Sequence, residues 1–123
     1  MELIDALWER FKLGLVSGAD LKRLTKTVPD DFFRRFKAVI SGDKVNNPKP
    51  HPEPYIAAAK ELFVPPLECL VVENAPLGIE SAKRAGMRCI AVCSTLKRNL
   101  ISDADFIVDD INALWAFFDY IID

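Results

Sequence analysis

Residues 70–87 have the sequence LVVENAPLGIESAKRAGM. Positions 69–72 are apolar in succession, which is typical of a strand that is covered on both faces. Pro76 suits the first turn of a helix, and Gly86 suits the position just past the end of one. The stretch therefore predicts a strand, a loop and a helix. Glu73 follows the strand directly, at the end where open α/β sheets place their ligand sites, so we expect its carboxylate to point into a crevice.

Short apolar runs alternate with helical patterns on either side of this stretch. Because strands that alternate with helices form parallel sheets, we predict an α/β fold with helices on both faces of the sheet. The strands are expected at 12–16, 38–40, 70–72, 89–92 and 106–108, and the helices at 3–11, 20–27, 29–36, 54–63, 76–85 and 111–122.

The first and the fourth are among the predicted helices that have apolar faces at helical spacing. The residues on these faces are Leu3, Ile4, Leu7, Trp8 and Phe11 in the first helix, and Ile56, Ala59, Leu62 and Phe63 in the fourth. The segment 46–54 holds four prolines and is expected to be irregular.

Length and composition limit the class of protein. A chain of 123 residues suits one domain, and half of its residues are hydrophobic, so a core is possible. A net charge of -2 without a basic cluster argues against nucleic acid as a partner. No apolar run approaches the roughly 20 residues that span a membrane. Three cysteines, an odd number, favour a reducing cytoplasmic location over a disulfide framework.

The Ser17-Gly18 pair and Lys49 are placed where they could bind an anion. Ser17-Gly18 follows a predicted strand, and its hydroxyl and backbone amides can hold an anionic oxygen. The same pair is also typical of a helix cap or a turn. Lys49 lies between Pro48 and Pro50, which restrain the backbone and limit where the ammonium group can point. Lys49 is therefore either a charge clamp for phosphate or an ordinary surface lysine.

Glu73 and Asn74 offer oxygen atoms at the end of the predicted strand. A hard cation such as Mg²⁺ takes oxygen ligands, so the pair is a candidate metal site. Both residues could instead cap the following helix. His51 is the only histidine and has no Cys or Asp at ligand spacing, so we interpret it as structural. Cys89 and Cys93 are interpreted as buried apolar residues rather than metal ligands.

Four segments occur in a specific order and spacing. They are LVSG at 15–18, NPKPHP at 47–52, VENAPLGI at 72–79 and AGM at 85–87. Together they resemble the haloacid dehalogenase-like (HAD) hydrolase superfamily, and most closely its β-phosphoglucomutase and sugar-phosphate phosphatase branch. The resemblance covers the chain from about residue 13 to residue 114. It implies a three-layer, Rossmann-like parallel sheet.

The resemblance also implies roles for four residues. Ser17 matches the serine or threonine of the second family motif, which hydrogen-bonds the phosphoryl group, and Gly18 adjoins it. Lys49 matches the lysine that neutralises phosphate and the nucleophile. Glu73 matches the first of two acids that hold Mg²⁺, whereas Asn74 stands where the second acid is commonly aspartate. Weaker metal binding is the expected consequence.

The first motif of the family, DxDG(T/V), has no counterpart in this sequence. In the family it lies on the first strand and supplies the nucleophilic aspartate and a second aspartate that acts as general acid and base. Residues 103–105 have the DxD spacing but precede a predicted strand instead of following one. We therefore expect residues 1–123 to form a single HAD-like core domain, the carboxyl-terminal part only. The helical cap would be absent, and so would the central first strand between the strands that end at Ser17 and Glu73.

The predicted function is a Mg²⁺-dependent phosphatase or phosphomutase that acts on a small phosphorylated metabolite and is inactive as this chain alone. The alternative is a catalytically dead module that binds phosphate ligands or a protein partner, and a third possibility is a truncated gene fragment without a function of its own. Unpaired strand edges favour association. A homodimer or a partner chain that completes the sheet is therefore expected.

Overall fold

The computed structural model describes residues 2–93, 101 and 103–122. Its elements, in chain order, are α1 (Glu2–Trp8), β1 (Gly14–Val16), α2 (Leu21–Thr27), α3 (Asp30–Phe33), β2 (Ala38–Ile40), α4 (Glu53–Leu62), β3 (Leu70–Glu73), α5 (Pro76–Arg84), β4 (Arg88–Val92), β5 (Phe106–Val108) and α6 (Ile111–Ile122). Every predicted strand and helix is present, with ends that differ by a few residues.

The five strands form two parallel sheets. β1 pairs with β2, and β3 pairs with β4, which pairs in turn with β5. The prediction of a parallel α/β fold is confirmed. Within the described part of the chain, β1 and β3 each have a strand neighbour on one edge only.

Helices pack on both faces of the sheet that contains β4, as predicted. On one face, α4 and α5 form a core with β3 and β4, and its buried members include Tyr55, Ala59, Val71, Ile79, Ala82 and Cys89. On the other face, α1 and α6 pack on Ile90 of β4 through Leu3, Leu7, Leu114 and Phe118.

A cleft separates the two sheets and is called here the inter-sheet cleft. It is a cavity of about 1050 Å³ whose lining includes residues 13–18 around β1 and 69–75 around β3. Side chains from α4, α1 and α6 also line it. Its position matches the expected place of a missing central strand.

The expectation that β3 is covered on both faces is wrong. Val71 is buried, but Leu70 and Val72, which point to the opposite face, are 40% and 43% exposed. Ile90 of the neighbouring strand is fully buried beneath α1 and α6. These helices therefore cover β4 and stop short of the edge of β3 that borders the inter-sheet cleft.

Two predicted helix faces also need correction. α1 ends at Trp8, so Phe11 lies beyond the helix, and both side chains are about half exposed. α4 ends at Leu62, and Phe63 adopts a left-handed conformation (φ 57°) that turns its side chain to solvent, where it is 89% exposed. The buried face of α4 instead includes Tyr55.

The predicted limits of α5 are confirmed. Pro76 is its first residue, where the missing N–H of proline costs no hydrogen bond. The helix ends at Arg84, and Gly86 follows with φ +80°, a conformation that glycine adopts without strain. None of the helices in the described ranges is long and apolar enough to cross a membrane.

Candidate functional site

The predicted site residues line one cleft, at and near the carboxyl ends of β1 and β3. Ser17 and Gly18 follow β1, Glu73 ends β3, and Asn74 comes next. Lys49 reaches the same place from the segment 46–52, called here the Lys49 loop. All five residues line the inter-sheet cleft. Because parallel strands end at one edge of the fold, residues far apart in the sequence become neighbours.

The Glu73 carboxylate is surrounded by hydrogen-bond donors. Its Oε1 atom accepts from Lys49 Nζ at 2.5 Å and from the Tyr55 hydroxyl at 2.6 Å. Its Oε2 atom accepts from the backbone amides of Asn74 at 3.1 Å and Ala75 at 3.3 Å. The side chain is 8% exposed. A carboxylate has about four lone-pair positions, and here four donors occupy them.

These contacts keep Glu73 ionised. Burial by itself raises the pKa of a carboxyl group, but the hydrogen bonds from Lys49 and Tyr55 outweigh it, and the pKa of Glu73 lies below its usual value. Burial, together with the nearby Glu73 charge, raises the pKa of Tyr55, so the hydroxyl stays protonated and donates. The cluster therefore has one negative charge, on Glu73, facing one positive charge, on Lys49.

Gly78 leaves the space that the carboxylate occupies. A Cβ atom on Gly78 would lie 2.1 Å from Glu73 Cδ and 2.2 and 2.4 Å from the two carboxylate oxygens. The Glu73 side chain is thus packed against the first turn of α5, with its oxygens turned toward Lys49, Tyr55 and the amides that precede the helix. Any larger residue at position 78 would displace it.

The Lys49 loop is held by hydrogen bonds at both of its ends. The Glu53 carboxylate accepts from the backbone amides of Asn46 and Asn47 at 2.9 and 3.0 Å. The buried Ser81 hydroxyl of α5 donates to the carbonyl oxygen of His51 at 2.6 Å. The Lys49 ammonium lies 5.2 Å from the centre of the Tyr55 ring, a distance at which the ring attracts a cation. The loop thus presents a restrained lysine at the cleft.

Ser17 and Gly18 form a turn after β1. The Ser17 hydroxyl accepts from the backbone amide of Ala19 at 3.1 Å, as in a local serine turn. Its backbone amide donates to Ile40 of β2 at 2.9 Å. The carbonyl of Gly18 lies against Gly42, where a Cβ atom would be 2.2 Å from it. The turn is therefore fixed by backbone contacts, and its role in phosphate binding stays a prediction.

The remaining candidates have local partners. His51 Nδ1 accepts from the Glu53 amide at 3.0 Å. Cys89 is buried, and burial followed by the Glu73 charge raises its pKa to about 12, so it stays a thiol. Asp105 accepts from Lys83 and from the Cys89 amide at 2.7 and 2.8 Å and does not line the cleft. In residues 2–93, 101 and 103–122 no three His, Cys, Asp or Glu side chains cluster as metal ligands.

Sequence reasoning missed Tyr55, Gly78 and Ser81. A tyrosine inside a buried helix face needs a partner for its hydroxyl, which was an available signal. A glycine within a predicted helix costs stability relative to alanine, so its presence at position 78 was a second signal, of a group packed closely against the helix. Tyr55 and Ser81 have their partners, Glu73 and His51, 18 and 30 residues away in the sequence, so neither signal could identify those partners.

Comparison with known proteins shows the family to which the chain belongs. The family described as haloacid dehalogenase-like hydrolase matches residues 1–92 of the chain. The chain belongs to this family. Among curated HAD proteins, validoxylamine A 7'-phosphate phosphatase of Streptomyces hygroscopicus subsp. limoneus is 38% identical over 113 residues, which are 90% of this chain and 53% of that protein. Hexitol phosphatase B of Escherichia coli is 34% identical over 100 residues, 80% of this chain and 44% of that protein.

Solved HAD structures have the same fold. β-Phosphoglucomutase from Clostridium difficile superposes with a TM-score of 0.75 at 29% identity, covering 98% of this chain and 55% of that one. CbbY from Rhodobacter sphaeroides in complex with phosphate superposes with a TM-score of 0.76 at 26% identity, covering 89% of this chain and 51% of that one. The chain therefore spans about half the length of these four proteins.

HAD phosphatases generally use Mg²⁺, and the described residues can be tested for such a site. As placed, Glu73 has no acceptor position left for a cation, because its four donors are the Lys49, Tyr55, Asn74 and Ala75 groups. These residues do not fit a directly bound Mg²⁺ unless Glu73 gives up one of those donors. Magnesium binding at Glu73 and Asn74 stays a prediction.

Proposed function

We propose that this chain provides the anion-binding part of a site that hydrolyses or transfers the phosphoryl group of a small phosphorylated metabolite. The observation that carries the proposal is the Lys49 ammonium, which Glu73 and Tyr55 hold at the cleft where β1 and β3 end. Two relatives named above are phosphatases, and one structural neighbour was solved with phosphate. The thiols of Cys69 and Cys89, which form no disulfide, are consistent with a cytoplasmic location.

The proposed chemistry divides between this chain and a group supplied from elsewhere. Lys49 would neutralise charge on the phosphoryl oxygens, and the Ser17-Gly18 turn would orient them. Covalent phosphoryl transfer also needs a nucleophile such as a carboxylate. The carboxylates among the described cleft-lining residues are Glu68, at the far end of β3, and the fully hydrogen-bonded Glu73. We therefore expect the isolated chain to bind phosphate without turning over phosphate esters.

The test of this function is the affinity for inorganic phosphate, measured by isothermal titration calorimetry. Replacing Lys49 with alanine removes a charge-assisted hydrogen bond worth about 1.5–3 kcal/mol, so the affinity should fall roughly 10- to 100-fold. The control is Lys60→Ala, because Lys60 is exposed on α4 outside the cleft. Equal affinities of Lys49→Ala and the unmodified chain would contradict the proposal. Rapid hydrolysis of an aryl phosphate would contradict the expected inactivity.

A second candidate function is protein binding through the inter-sheet cleft. The edges of β1 and β3 that border the cleft lack strand neighbours in the described structure. Leu13 and Ser17 exchange backbone hydrogen bonds with the β2 side, so the alternation of a parallel strand directs the backbone groups of Gly14 and Val16 to the cleft. Such edges accept an added strand.

The chemistry of the cleft favours one kind of occupant. Between its ends the walls are uncharged, with Leu15, Val16, Leu70 and Val72 among the lining residues. Because β1 and β3 each present an unpaired edge to this space, one extended segment could hydrogen-bond to both. We infer that the occupant is an uncharged run of β-branched residues from another polypeptide, parallel to β1 and β3.

This candidate is tested with a fluorescent peptide that carries five alternating Val and Ile residues between terminal lysines. Val72→Lys should abolish the rise in anisotropy on binding, because it places a charge in the cleft. Leu67→Lys should not, because Leu67 is 83% exposed and outside the cleft. Peptide binding without phosphate binding would favour the module over the phosphatase. If Val72→Lys bound the peptide as well as Leu67→Lys does, the cleft would be rejected as the interface. Sedimentation would show whether the chain dimerises.

A further inference from the structure

We propose that Glu73 serves as the fixed counter-ion of Lys49 rather than as a direct cation ligand, and that Tyr55 is the positioning residue that holds it in that role. The inference deepens the proposed function and rests on it only for the phosphate readout described below. It assigns a role to the buried hydroxyl of Tyr55, for which the sequence pattern predicted only a position in a helix.

The first line of support is the number of donors around the carboxylate. Lys49 Nζ and the Tyr55 hydroxyl donate to Oε1, at 2.5 and 2.6 Å, while two consecutive backbone amides donate to Oε2. A carboxylate in this arrangement has every lone-pair position in use. A cation could bind only after one of these bonds had broken.

The second line of support is the packing around the carboxylate. Gly78 approaches so closely that even a methyl group would overlap both oxygens of Glu73. The side chain is therefore confined between α5 and the Tyr55 hydroxyl of α4. Rotation of Glu73 toward the open part of the cleft would leave Tyr55, which is buried, without the partner of its hydroxyl.

Tyr55 contacts both members of the ion pair, and this is why we assign the positioning role to it. Its hydroxyl holds Glu73, and the centre of its ring lies 5.2 Å from the Lys49 ammonium. It stands near the start of α4, directly after the Lys49 loop. One rigid side chain thus sets the distance between the carboxylate and the ammonium, and Glu73 acts on a bound phosphate only through Lys49.

The test compares Tyr55→Phe with the unmodified chain by nuclear magnetic resonance and calorimetry. Phenylalanine keeps the ring and removes only the hydroxyl. We expect the ¹⁵Nζ signal of Lys49, assigned by its loss in Lys49→Arg, to shift and its protons to exchange faster with water. We expect the affinity for inorganic phosphate to fall by about three- to tenfold, by the same factor with and without Mg²⁺.

The control for a general loss of stability is Ile90→Val, which trims the core on the other face and should change neither readout. A second arm adds Mg²⁺ to the unmodified chain and follows the ¹³Cδ signal of Glu73, which should not move. A shift of that signal on metal addition, or an unchanged Lys49 signal in Tyr55→Phe, would overturn the proposal. If the Lys49 signal responds but no variant binds phosphate, the positioning role stands and the proposed function fails.

Discussion

Replacing Glu73 with glutamine is expected to lower the free energy of unfolding by about 3 kcal/mol, although the two side chains have nearly the same shape. In either orientation the amide nitrogen takes the place of an oxygen that accepts two hydrogen bonds, so donors face donors. Breaking a buried ion pair costs roughly 3–5 kcal/mol. The lower end applies because Lys49 still reaches solvent.

Urea denaturation of the two proteins measures this difference. Glu80→Gln is the matched control, because Glu80 is exposed on α5 and its substitution should change stability by less than about 0.5 kcal/mol. Equal stabilities for Glu73→Gln and Glu80→Gln would show that the four hydrogen bonds of Glu73 contribute nothing to the fold.

Replacing Gly78 with alanine is expected to cost at least about 2 kcal/mol of stability, although alanine is the better helix former by about 1 kcal/mol. The new methyl group would lie 2.1–2.4 Å from three atoms of Glu73, so the carboxylate has to leave its donors. Phosphate affinity should fall with it, because Lys49 loses its fixed partner. Urea denaturation and phosphate calorimetry on the same samples measure both effects.

Gly18→Ala is the control for the stability measurement, because a methyl group at that position meets nothing within 4 Å. Its stability should stay within about 0.5 kcal/mol of the unmodified chain. If Gly78→Ala were as stable as Gly18→Ala, the Glu73 carboxylate would have to be able to adopt another position of equal free energy. The close contact at Gly78 would then not explain how Glu73 is held.

Both predictions concern one carboxylate, and they are not independent. Residues in direct contact give non-additive effects, so combining Glu73→Gln with Gly78→Ala should cost less than the sum of the two. Strictly additive changes in the free energy of unfolding would show that the packing at Gly78 and the hydrogen bonds of Glu73 are independent of each other.

Much of the fold follows from local pattern. Pro76 and Gly86 mark the limits of α5 because the missing N–H of one and the permissive backbone of the other are properties of single residues. The parallel arrangement follows from the alternation of strands and helices. Phe63 was misplaced because periodicity cannot show where a helix stops, and a left-handed residue ended α4 one position early.

Some features of the site also follow from local sequence, and others depend on the tertiary structure. The amino-acid sequence alone was sufficient to place Ser17, Lys49, Glu73 and Asn74 at strand ends and in a restrained loop, because backbone chemistry and spacing are local. It could not show that the Glu73 carboxylate is packed against Gly78 and hydrogen-bonded to Tyr55, or that the face of β3 bearing Leu70 and Val72 is uncovered. Those features depend on which helices pack beside each strand, and hydrogen-bond partners 18 or 24 residues apart are chosen only when the chain is folded.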